Sequence, residues 1–183
     1  LSSIKIASQL LSRSKTGDDE LLRKINKEAS SDEIALATQR LHAAGIIVSS
    51  TILLGLAGND SKLSQQHAIQ TARLVNRMKP PSRRPWYVSA LTYIPVPDTE
   101  IHDEVQRGEF NCAEPDQILS ELDTFFTNLD DELKGCIFRS NHASNYLPLQ
   151  SNELGRDRHK LKQVVQGALT NPRILRADWM RGL

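Results

Sequence analysis

The stretch from Gly45 to Gly58 constrains the fold more than any other part of this chain. It reads Gly-Ile-Ile-Val-Ser-Ser-Thr-Ile-Leu-Leu-Gly-Leu-Ala-Gly and carries no charge. An uncharged, branched-aliphatic run closed by glycines predicts a strand of a parallel sheet, covered by helices on one side and packed inside on the other. Gly55 and Gly58 bracket the turn that follows. Glycine accepts positive φ and lets a ligand approach the backbone, so a strand ending this way can wall a ligand site; it can equally be a tight strand-to-helix turn without a ligand.

The flanking segments alternate helix and strand. Asp18-Asp19-Glu20 places acidic residues where the exposed N–H groups of a helix start favour them, with Leu21, Leu22 and Ile25 as the apolar stripe. Ser31-Asp32-Glu33 opens a second helix, with Ile34, Leu36, Ala37, Leu41 and Ala44 near helical spacing until Gly45. Residues 61–78 form an amphipathic helix ended by Pro80-Pro81, and Trp86 to Ile94 is a second strand rich in aromatic and β-branched residues. A short helix over 101–108, a longer one over 115–129, a short strand over 135–140 and a final helix over 156–169 complete the reading. This order predicts an α/β fold with a parallel sheet, open or curved toward a barrel, whose ligands sit at the carboxyl ends of the strands.

Composition excludes several classes of function. With 23 Lys plus Arg against 22 Asp plus Glu, the chain has no strong nucleic-acid signature, and the basic pair Arg83-Arg84 and the Arg-rich tail read as solvated surface. No apolar run approaches the ~20 residues needed to cross a bilayer, so the expected location is intracellular, cytoplasmic by default. Cys112 and Cys136 are far apart and lack metal-ligand spacing, so no metal site is expected from them.

After the third strand comes a polar run, where a loop at a strand end is expected. Arg139, Ser140, Asn141, His142, Asn145 and Tyr146 are the candidates to face a substrate, with His142 a possible proton carrier near neutral pH. The competing reading is that Asn141 and His142 cap and brace a loop. His42, His67, His102 and His159 fall on helices without paired ligand spacing and read as surface or packing residues.

Five segments in this order resemble radical SAM proteins: Thr16 to Leu22, the helix exit at Ala43-Ala44-Gly45-Ile46, Ile52 to Gly58, Ile94 to Thr99 and Phe138 to Tyr146. The similarity covers roughly residues 16–183 and is closest to the branch of oxygen-independent coproporphyrinogen oxidase-like proteins and tRNA methylthiotransferases. It implies a partial (β/α) barrel holding S-adenosylmethionine and a 4Fe–4S cluster, with reductive cleavage to a deoxyadenosyl radical; such chemistry belongs to the cofactor. By the same resemblance, Ser49, Thr51, Gly55 and Leu56 would present hydroxyl and backbone groups to the adenosyl moiety, and Pro95 and Val96 would lie beside the adenine. A hydroxyl on a strand can equally bond a neighbour.

Two departures from the family pattern stand out. The CxxxCxxC motif that binds the cluster is absent, and two distant cysteines cannot replace three clustered thiolates. Where relatives carry an acidic or amide side chain before the first acidic helix, this chain has Arg13-Ser14-Lys15-Thr16-Gly17, and Lys15 reverses the charge. The expected organisation is an atypical leader over 1–15, a partial barrel over 16–150 and a helical extension over 151–183. The expected function is that of a C-terminal part of a radical SAM enzyme, inactive alone, with an adenosyl- or partner-binding domain as the alternative. A half barrel also exposes a sheet edge, which invites self-association.

Overall fold

The computed structural model describes residues 15–182, so the expected leader lies outside the described residues except for Lys15. The chain is α/β. Its elements run α1 (Asp19–Lys24), α2 (Ser31–Ala43), β1 (Ser49–Leu54), α3 (Ser61–Arg77), β2 (Trp86–Thr92), α4 (Glu100–Gln106), α5 (Pro115–Thr127), β3 (Cys136–Arg139), β4 (Gln150–Ser151) and α6 (Leu154–Thr170). Two single-turn 3-10 helices, Pro172–Ile174 and Asp178–Met180, follow.

Local chemistry sets the helix starts. The Asp18 carboxylate accepts from the Glu20 and Leu21 N–H groups, and Asp60 does the same for Lys62 and Leu63. Ser30 and Glu33 close a reciprocal capping box at α2. At α5 the Gln117 side chain accepts from the Glu114 N–H, and Pro115 takes the first helical position, where a missing donor costs nothing.

The four strands form one sheet in the order β1-β2-β3-β4. β1, β2 and β3 are parallel, with Ser50 opposite Val88 and Val88 opposite Phe138. β4 returns antiparallel, with Phe138 opposite Ser151. The outer edge of β1 is paired at Lys15, whose N–H donates to the Thr51 carbonyl at 2.9 Å and whose carbonyl accepts from Leu53 at 2.7 Å.

The two faces of this sheet differ. Ile52, Leu54, Trp86, Val88, Ala90, Cys136 and Phe138 are buried in one core with the apolar stripes of α3, α5 and α6. Phe126 packs edge-on against Phe138 within that core, its ring centroid 5.4 Å away. On the other face, none of Ser49, Thr51, Leu53, Tyr87, Ser89, Leu91, Ile137 and Arg139 is buried. Helices cover one face of β1 as expected, whereas the other face is packed only in part: Leu53 meets Leu21 of α1, and Ser49 is exposed. A parallel sheet normally has both faces covered, so the open face is the distinctive feature of this architecture.

The β4 return was not expected, because two residues carry too little pattern to announce a strand. Arg139 secures it, donating to the Phe138 and Ser151 carbonyls at 2.7 Å each and to the Asn152 side chain at 2.8 Å. No helix among the described residues is long and apolar enough to cross a membrane.

Candidate functional site

A cleft of about 580 Å³ opens at the carboxyl ends of β1 and β2. Its floor is apolar. Leu53 and Leu56 come from the end of β1 and the glycine turn, Leu21 and Ile25 from α1 and its exit, and Phe110 from the segment before α5. Tyr93, just past β2, stands edge-on to Phe110 with centroids 6.2 Å apart. Lys15 and Lys24 bring positive charge from the first segment, while Glu100 and Glu104 bring negative charge from α4. An apolar cleft with a few polar groups converging on it is the usual form of a small-molecule site.

The glycine turn shapes the floor. Gly55 and Gly58 have φ of +75° and +63°. A methyl group on Gly58 would sit 2.5 Å from the Asn111 carbonyl oxygen and 3.0 Å from the Phe110 ring, so this position admits only glycine without displacing the cleft wall. Burial first, with the neighbouring Cys112 and Glu104, pushes the Tyr93 phenol up to about 12, and its hydroxyl stays protonated at neutral pH.

Of the residues expected to meet an adenosyl group, Leu56 lines the cleft. Thr51 lies on the open face two residues before Leu53, half-buried, and Ser49 lies exposed at the amino end of β1. The Gly55 N–H is taken by the Glu121 carboxylate at 3.1 and 3.3 Å. Pro95 and Val96 connect Tyr93 to Thr99, both of which line the cleft, and the Val96 carbonyl accepts from the Thr99 hydroxyl at 2.6 Å.

The residues expected to face a substrate form a separate, internally bonded loop. Asn145 is buried: it accepts from the Thr92 hydroxyl at 3.0 Å and donates to the Ala90 and Ser140 carbonyls at 2.8 and 3.1 Å. Ser140 is buried and its N–H donates to the Leu149 carbonyl. His142 is exposed, and its Nδ1 accepts from the Ser144 N–H at 3.1 Å. Asn141 is exposed. Tyr146 is covered by the Arg181 guanidinium, 3.4 Å from its ring centroid, and burial raises its phenol despite that cation. His142 takes part in the loop's internal bonding, and its carbonyl also accepts from the Asn145 N–H at 3.1 Å and from Arg176 at 2.8 Å. Arg139 likewise serves the β3–β4 return.

A buried polar pair is bonded to the Leu53 carbonyl and the Gly55 N–H at the cleft floor, and the sequence reading, which took His67 for a surface or packing residue, did not pair it with Glu121. His67 on α3 and Glu121 on α5 are fully buried and lie 3.3 Å apart, Nε2 to Oε1. Glu121 also accepts from the Ser64 hydroxyl at 2.7 Å. His67 Nε2 donates to the Leu53 carbonyl at 2.9 Å, and Nδ1 meets the Thr16 hydroxyl at 2.7 Å. Burial would lower the imidazole, but Glu121, the Leu53 carbonyl and Asp18 outweigh it and hold it above its ordinary value. The signal existed: Glu121 sits on the same stripe as Ile118 and Phe125, where a lone carboxylate demands a partner.

The donor set does not fit an iron–sulfur cluster. Among the described residues no group of three His, Cys, Asp or Glu side chains could hold a metal ion. Cys136 is buried in the core and Cys112 is half-buried elsewhere. Compared with protein-family models, with curated proteins and with solved structures, the chain finds no match.

Proposed function

We propose that this chain is the back part of a radical SAM-type barrel, and that what it contributes is the metal-free wall of an adenosyl-ligand site. The observation that carries the reading is the apolar cleft at the carboxyl ends of β1 and β2, with Leu56 of the glycine turn in its floor. The open face of the parallel sheet supports it, because that is the side a barrel turns inward. An adenine ring suits the apolar floor beside Phe110 and Tyr93, where flat aromatic groups pack favourably. No step of radical chemistry is assigned to the described residues, since they offer no cluster ligands. Catalysis, in this reading, requires three thiolates from other polypeptide, and the chain alone binds without turning over.

The test is calorimetric titration of the chain with S-adenosylmethionine and with 5′-deoxyadenosine, alongside the variant Glu100→Trp. Glu100 is exposed on α4 and lines the cleft, so an indole there obstructs the site while leaving the core alone. Binding of both ligands, lost in the variant while its circular dichroism stays unchanged, supports the proposal. Absence of binding at millimolar ligand, or equal binding to both proteins, refutes it.

A further inference from the structure

We infer that His67 and Glu121 are a positioning pair that holds three separate parts of the cleft in register and makes the floor respond to the charge on one imidazole. Each part is tied by a direct bond. The Leu53 carbonyl, at the end of β1, accepts from His67 Nε2 at 2.9 Å. The Gly55 N–H, which opens the turn carrying Leu56, donates to Glu121. The Thr16 hydroxyl, next to Lys15, meets His67 Nδ1 at 2.7 Å, and Thr16 is itself fully buried. Lys15, Leu53 and Leu56 all line the cleft. The inference rests on the cleft being the binding site, although its central measurement does not.

A buried carboxylate is costly unless paired and hydrogen-bonded. Glu121 meets that demand with the Gly55 N–H, the Ser64 hydroxyl and His67, so the position of the turn and the satisfaction of the charge are one event. The charged groups bearing on His67 are Glu121 from α5 and Asp18 ahead of α1. Asp18 is held in turn by the Glu20 and Leu21 N–H groups and by Gln66. Thr71, one turn on from His67, is the remaining polar neighbour and accepts from the Gly17 N–H at 3.0 Å.

As an imidazolium, His67 donates from both nitrogens, to Leu53 or Glu121 on one side and to Thr16 on the other. As a neutral ring it keeps one N–H, which at Nε2 still serves the Leu53 carbonyl, and it loses the positive charge that strengthens its hold on Glu121. Because the folded imidazole titrates above its ordinary value, the charged form and its grip persist below that value and are lost as pH rises through the folded one. The floor therefore loosens as pH rises through the folded imidazole's titration, which lies above its ordinary value.

The test follows the imidazole of His67 and the methyl groups of Leu53 and Leu56 by NMR as pH is raised, in the native chain and in Glu121→Gln. The expected result is that the leucine methyls titrate with the imidazole midpoint, above 6.5, and that in Glu121→Gln this common midpoint falls by about one pH unit or more. Ser64→Ala, which removes a bond to Glu121 but leaves the pair, keeps the midpoint raised. Leucine methyls that do not follow the imidazole, or a midpoint unmoved in Glu121→Gln, overturn the inference; the native titration decides this even where the variant fails to fold. Affinity for 5′-deoxyadenosine read across the same pH range is expected to weaken through the same midpoint. If the methyls titrate as described and no ligand binds, the adenosyl reading fails and the positioning pair stands.

Discussion

Replacing Gly58 by alanine separates the two demands that the glycine turn places on its sequence. Gly58 and Gly108 both have positive φ, +63° and +72°. A Cβ on Gly108 meets nothing within 4 Å, whereas on Gly58 it lies 2.5 Å from the Asn111 carbonyl oxygen. Gly108→Ala therefore carries only the left-handed backbone penalty, about 1 kcal/mol. Gly58→Ala carries the same penalty plus the cost of forcing backbone and the Phe110 ring aside, about 1–3 kcal/mol more. With a urea dependence of roughly 2 kcal/mol per molar, the midpoints fall by about 0.5 M for Gly108→Ala and about 1–2 M for Gly58→Ala. The assay is urea unfolding followed by far-ultraviolet circular dichroism, since Trp179 is 84% exposed and its emission would dilute the report from the core. Equal midpoints for the two variants would refute the steric argument and, with it, the claim that the turn is fitted against the cleft wall.

Two further outcomes follow from buried groups. His42 packs edge-on to Trp86, and burial lowers its imidazole, so its folded value lies below the unfolded one. Its contribution is complete above about pH 6.5 and is lost as pH falls; the stability gap between the native chain and His42→Gln, from urea titrations at pH 7.5 and 5, should narrow in acid, and a constant gap would contradict this. Burial also pushes the Cys136 thiol up, more strongly than that of Cys112. A thiol reagent should label Cys112 first and Cys136 only at the rate of unfolding, a difference that peptide mapping after timed quenching will show.

Much of the scaffold is legible locally. Acidic first turns and the apolar stripe from Ile118 to Phe126 mark their helices because helix-end electrostatics and amphipathic burial act within a few residues. The strands at Ser49–Leu54 and Trp86–Thr92 show equally well, since their uncharged runs are long enough to carry a period. The bonding of the polar run after β3 was not legible, for a physical reason. Asn145 bonds Thr92 and Ala90, residues distant in sequence, and nothing in its own neighbourhood announces that its amide is already occupied.

Sequence by itself determined the order of the helices and of the three parallel strands, the glycine turn at the end of β1 and the impossibility of a three-thiolate cluster from two cysteines, because each is a matter of composition or short-range spacing. Tertiary structure alone decided that one sheet face stays open, that β4 turns back along β3, and that His67 meets Glu121 beneath Leu53 and Gly55. Those outcomes depend on which surfaces meet across the core, and an isolated segment holds only half of each contact.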